Sequence, residues 1–139
     1  MSISRAGMFA LVVALATVAP AHAAAPPVPR DAIEVDFGKR GDERIIEEVV
    51  RAYQPLELTL RADAGAVLLL SLTDADRSLV LHVVTPSGAR WIEGAQSGPD
   101  GLRLNLAESG VHRIYVAVSA DAARAGKAAA FQLRIGLQR

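Results

Sequence analysis

Apolar residues recur at every second position through most of this chain, the period of half-buried β-strands. Leu56, Leu58 and Leu60 alternate with Glu57, Thr59 and Arg61. Leu102, Leu104 and Leu106 alternate with Arg103 and Asn105. Ile114, Val116 and Val118 alternate with Arg113, Tyr115 and Ala117, and Phe131, Leu133, Ile135 and Leu137 with Gln132, Arg134, Gly136 and Gln138. Each run has one apolar and one wet face. Two runs, Val67 to Leu72 and Leu79 to Val84, are apolar on both faces. They predict central strands covered on both sides or nearly so. Ile45-Ile46 and Val49-Val50 flank Glu47-Glu48. A helical turn fits that spacing, but Ile and Val favour a strand, and a bulge would reconcile the doubled pairs with a sheet edge.

Turn residues interrupt the alternation at Asp63-Ala64-Gly65, Asp74-Ala75-Asp76, Pro86-Ser87-Gly88, Ser97 to Gly101 and Ser109-Gly110. Short strands with a turn every ten or so residues predict an all-β fold. The expected form is an antiparallel β-sandwich of about eight strands in a single domain over residues 33–139. The Ala-rich stretch Ala120 to Ala130 contains Gly126 and predicts at most a turn or two of helix inside a long hairpin connection.

The front of the chain reads differently. Arg5, the apolar run Phe9 to Val18, Pro20 and the small-x-small site Ala21-His22-Ala23 make residues 1–23 a secretory signal peptide, too short for a spanning helix. Residues 24–32 form a Pro-rich, poorly ordered spacer. The formal net charge is zero, and the leader's one charge is Arg5, so the mature chain stands near −1. Such a chain has no overall field for nucleic acid or anionic lipid. With no cysteine it has neither disulfides nor a lipoprotein anchor site, and its core must hold it together. The expected address is the periplasm, or outside the cell.

Little here points to catalysis. Gly94-Ala-Gln-Ser97-Gly98 places its serine one position too late for a nucleophile elbow. His82 lies within a strand and reads as structural. His112 follows a Gly turn and is expected near the surface. Neither has an acid partner at a telling spacing. Two isolated histidines without cysteine argue against zinc. Asp74 and Asp76 resemble part of a calcium loop, but Ser78 and Leu79 follow where further ligands belong, so two solvated turn residues is the simpler reading. The carboxylates are scattered and suggest no glycosidase pair. Trp91 beside Arg90 could stack on a ring, yet a lone Trp at a strand end is ordinarily a core-edge residue. No cofactor is implied, and the chain reads as a non-enzyme.

What remains is the last hairpin. Ser109-Gly110 offers a small hydroxyl on a sharp turn that can protrude from the sheet and enter another protein's cleft. Arg113 and Tyr115 should face solvent, and Arg124 and Lys127 lie in the connection beyond. A guanidinium suits carboxylate recognition because its fork is bidentate.

On these residues the chain resembles the bacterial periplasmic inhibitors of invertebrate-type and goose-type lysozymes. The likeness runs through Ser109-Gly110-x-His112-Arg113-Ile114, Ala122 to Ala128 and Phe131-x-Leu133-x-Ile135, and more weakly back through Asp36 to Gly41, Leu56 to Gly65 and Thr85 to Gly88. The pattern is also similar to pre-peptidase C-terminal domains of secreted proteases. The resemblance implies a sandwich whose Ser-Gly-x-Tyr loop plugs the lysozyme cleft. Ser109 and Gly110 match, while His112 stands at the tyrosine position and can still donate to a catalytic carboxylate. Arg113 and Arg124 become candidates to meet acidic groups of the cleft. The implied partner is a lysozyme-type muramidase, bound by a monomer or a homodimer. The alternative is a pre-peptidase-like accessory module that binds envelope polymers or a protease.

Overall fold

The computed structural model describes residues 31–38, 43–95 and 100–139, with only the main chain for residues 93–95. The signal peptide, most of the spacer and the turn at Ser97 to Pro99 lie outside the described residues.

Among the described residues, nine strands form two sheets, with one helical turn between the last two strands. They are β1 (Ile33–Val35), β2 (Glu43–Arg51), β3 (Leu56–Ala62), β4 (Val67–Asp74), β5 (Leu79–Val84), β6 (Arg90–Ala95), β7 (Leu102–Asn105), β8 (Gly110–Val118), α1 (Ala120–Arg124) and β9 (Ala128–Gln138). One sheet runs β1-β3-β8-β5-β6 and the other β2-β9-β4-β7. Neighbours pair antiparallel, except that β1 lies parallel to β3. The architecture is the expected all-β sandwich, with nine strands rather than about eight; β1, at three residues, is too short to carry a readable period. The segment around Glu47-Glu48 is strand, in regular register with β9 from Glu43↔Gly136 to Arg51↔Ala128. No bulge is needed.

The core is the set of alternating residues that face between the sheets. Leu58 and Leu60 of β3, Ile114 and Val116 of β8, and Leu81 and Val83 of β5 meet Leu68 and Leu70 of β4 and Leu133 and Ile135 of β9. All are essentially sealed from solvent, and each contributes about 1.5–3 kcal/mol of burial free energy. Without a disulfide, this layer carries the stability. The two doubly apolar runs are interior strands, β4 between β9 and β7 and β5 between β8 and β6. Their outward residues, among them Leu69, Val80 and Val84, are only half-buried, because no further layer covers either sheet among the described residues.

Between β8 and β9 the chain crosses from one sheet to the other through the single turn of α1. Ala122 and Ala123 are its buried face. Gly126 ends it at φ +69, with Gly126 N–H donating to the Ala123 carbonyl (2.9 Å) and Lys127 N–H to that of Ala122 (3.0 Å). That is the paired C-terminal closure of a short helix, and it needs a left-handed residue. Gly126→Ala is expected to lower stability by about 1 kcal/mol, the usual cost of an L-residue in that conformation, read as a shift in the urea midpoint.

Candidate functional site

The strand pairings put three loops at one end of the sandwich. These are residues 63–66 between β3 and β4, 85–89 between β5 and β6, and 106–109 between β7 and β8. They are tied to one another. Gly65 N–H donates to the Leu106 carbonyl (2.8 Å), and Leu106 N–H to that of Ala66 (2.9 Å). Ser109 is exposed, and its Oγ accepts from the Ala64 N–H at 2.8 Å. Its own hydroxyl proton is still available to an outside acceptor. Ser87 Oγ donates to Glu108 Oε2 at 3.1 Å and lies 3.0 Å from Thr85 Oγ1. These hydroxyls, Thr85 first and then Ser87, hold the Glu108 carboxyl below its ordinary range. A fixed carboxylate therefore sits beside the fixed serine. Sequence reasoning missed Glu108, because its partner Ser87 lies 21 residues back and only the folded loops bring them together.

Gly110 opens β8 at φ +137, opposite Ala62 of β3. A Cβ there would sit 3.0 Å from Pro86 Cβ and 3.2 Å from Pro86 Cγ. The backbone conformation favours glycine, and the close approach of the 85–89 loop leaves a side chain little room.

His112 corrects an expectation. It is 1% exposed and points into the sandwich, not toward the surface. The strand period accounts for this, since His112 stands two residues before Ile114 and four before Val116, on the same inward face. Its Nδ1 has no hydrogen-bond partner among the described residues. Desolvation lowers its pKa, against weaker opposing pulls from the Gly110 backbone and from Glu108. In this conformation His112 supports the loop from beneath and presents nothing to a partner.

The two arginines are not brought together. Arg113 lies on the outer face of its sheet, three residues along β8 from Gly110, with Nε 3.7 Å from Glu57 Oε1. Arg124 lies at the opposite end of the molecule, beyond the whole length of β8, which at about 3.3 Å per residue is roughly 26 Å. There its Nη1 is 3.2 Å from Asp121 Oδ1. Ser109 and Arg124 therefore lie at opposite ends of the sandwich.

The two turn aspartates also have separate structural roles. Asp74 Oδ2 accepts from the Leu79 N–H (3.2 Å), and Asp76 lies 3.8 Å from Lys127 Nζ. No group of three or more His, Cys, Asp or Glu able to hold a metal occurs among the described residues.

This sandwich fold also occurs in solved structures of other proteins. Among solved structures, the chain is similar to PliG of Aeromonas hydrophila, a periplasmic lysozyme inhibitor of g-type lysozyme. There the TM-score is 0.67 and the identity 22%, over 77% of this chain and 96% of that one. It is similar to Salmonella Typhimurium PliG, an inhibitor of the same enzyme type, at TM-score 0.63 and 17% identity over 78% and 99%. The pre-peptidase C-terminal domain of a Bacillus anthracis collagenase follows at TM-score 0.56 and 13% identity over 78% and 97%. At these identities the likeness establishes the fold. No family model matches the chain, and no curated protein does. Among the described residues no helix is long and apolar enough to cross a membrane.

Proposed function

We propose that this protein is an exported inhibitor of a lysozyme, with goose-type enzymes as the first candidates, and that the 106–109 loop enters the enzyme's cleft. The observation that carries this reading is the pinned loop itself. Ser109 is exposed, yet its hydroxyl and the neighbouring Glu108 are already held by Ala64, Thr85 and Ser87. A loop ordered before contact loses little conformational entropy on binding, which favours affinity. The Ser109 hydroxyl can donate to a cleft carboxylate, and Arg113 lies close enough along β8 to pair with a second one. Blockage is steric, and no chemistry is required of the inhibitor. The sandwich fold shared with PliG supports the choice of partner. Signal-peptide cleavage after Ala23 and a periplasmic address are part of this proposal.

The test is a turbidity assay of cell-wall lysis by goose-type, invertebrate-type and chicken-type lysozymes, with and without the mature chain. Slower lysis by one class is the expected result. No slowing of any class at micromolar inhibitor removes the reading.

A second reading is an accessory module for envelope polymers. It is favoured by the likeness to the collagenase domain and by a trough on the outer face of the β5–β8 sheet. Two hollows of about 390 and 410 Å³ share Pro55, His82 and Ala117 there, with Tyr115 lining one and Tyr53 the other. Retention on insoluble peptidoglycan without inhibition of any lysozyme would favour it.

A further inference from the structure

The two hollows on the outer face of the β5–β8 sheet share Pro55, His82 and Ala117 and so form one trough. At about 390 and 410 Å³ each, they fall in the range of small-molecule sites. The strand register orders the floor: Tyr115 of β8 stands opposite His82 of β5, and Ala117 opposite Val80. The trough extends from Arg90 of β6 at one end to Ala123 of α1 at the other. The stretch of its floor from Val84 to Val80 alone is roughly 13 Å, longer than a single ring. Ser109 and Glu108 line neither hollow.

One wall is Tyr53, in the turn from β2 to β3, and its backbone is strained. The turn Arg51–Gln54 is closed by the Gln54 N–H, which donates to the Arg51 carbonyl (3.1 Å). Tyr53 takes its third position at φ +58, a left-handed conformation ordinarily left to glycine or asparagine. The Ala52 N–H donates to the Lys127 carbonyl (3.0 Å), so the turn is tied to the segment that follows α1. Burial does little to offset the strain, because Tyr53 is 66% exposed. A bulky residue held in a costly conformation and left in solvent points to a role outside the fold. Here the turn stands an aromatic ring at the side of the trough, with Tyr115 as a second ring along it.

The lining selects the ligand. A tyrosine ring has a flat apolar face and one polar edge. It matches a pyranose ring, which has an apolar C–H face and a rim of hydroxyls. His82 and Ser119 add polar groups along the trough. Arg90 stands at one end, and no Asp or Glu lines either hollow among the described residues. Glu57 stands opposite Tyr115 on β3, with its carboxylate toward Arg113 at 3.7 Å. The charge of the lining thus favours an anion, and a guanidinium fork suits a carboxylate. We propose that the trough binds an acidic glycan chain, with sugar rings stacked on Tyr53 and Tyr115 and a carboxylate of the chain on Arg90. The proposal rests on the accessory-module reading and names its ligand, and it leaves the 106–109 loop uncovered.

The probe is soluble, uncrosslinked peptidoglycan glycan strands, which carry lactyl carboxylates, titrated into the mature protein by calorimetry. The parent should bind them, and should bind the same strands with amidated carboxylates about tenfold more weakly, the worth of one charge-assisted hydrogen bond. Arg90→Gln should weaken binding of the untreated strands by the same factor and leave that of the amidated strands unchanged. Tyr53→Gly should abolish binding while raising the urea midpoint, because glycine relieves the turn. A lowered midpoint would show that Tyr53 serves the fold and would overturn the proposal. So would a Tyr53→Gly protein that binds like the parent, equal binding of amidated strands, or tighter binding of a proline-rich peptide. Retention on insoluble peptidoglycan that survives both Tyr53→Gly and Arg90→Gln would keep the accessory reading and overturn this site. No retention of the parent would overturn both.

Discussion

Gly110→Val is expected to lower the unfolding free energy by about 2–5 kcal/mol, enough to threaten a domain with no disulfide. Two costs combine. A β-branched residue at φ +137 is strained by about 1–3 kcal/mol. Its Cβ also presses on Pro86, where overpacking typically costs about 1–3 kcal/mol. The strain falls where β8 leaves the loop, so Ser109 should move away from the Ala64 N–H that holds it. Urea denaturation measures the first effect and the lysis assay the second. A midpoint shift equivalent to less than about 0.5 kcal/mol, the range of an ordinary surface substitution, would show that the loop end yields easily and is not rigid.

Acid sensitivity centred on His112 is the second large effect. Desolvation depresses its folded-state pKa below the ordinary 6.5. Between the two values the unfolded chain binds the proton and the folded one does not. Stability is therefore full above pH 6.5 and is lost as pH falls through the folded-state pKa. Glu108 is the charged group facing His112, and as a depressed carboxyl it adds its own loss only below its ordinary 4.5, so the two windows separate. His112→Leu removes both the titration and the unpartnered Nδ1, an orphan that costs about 1–3 kcal/mol when buried. The variant should match or exceed the parent at neutral pH, and its stability should be flat from pH 7 down to the carboxylate range. An unchanged slope in the variant would assign the acid sensitivity elsewhere.

The strands were legible because a sheet with one buried face writes its geometry into a period of two. The inward rows Leu56-Leu58-Leu60 and Leu133-Ile135-Leu137 are the alternating positions read from the chain. The same period, extended two residues back from Ile114, also places His112 indoors. Reading it as a surface residue gave the neighbouring Gly turn more weight than the strand register. Other features were not legible for physical reasons. β1 is too short for any period. The bonds that pin the loop join Ser109 to Ala64 and Glu108 to Ser87, pairs far apart along the chain that meet only after the sheets form. The separation of Ser109 from Arg124 follows from the nine-residue span of β8 between them.

The central claim is that one end of the sandwich, and not the other, meets the partner. Inhibition of goose-type lysozyme by two variants tests it most directly: Ser109→Trp at the pinned loop and Arg124→Glu at the far end. Complete loss with the first and parent-like inhibition with the second is the predicted result. Inhibition that survives Ser109→Trp but disappears with Arg124→Glu would contradict it.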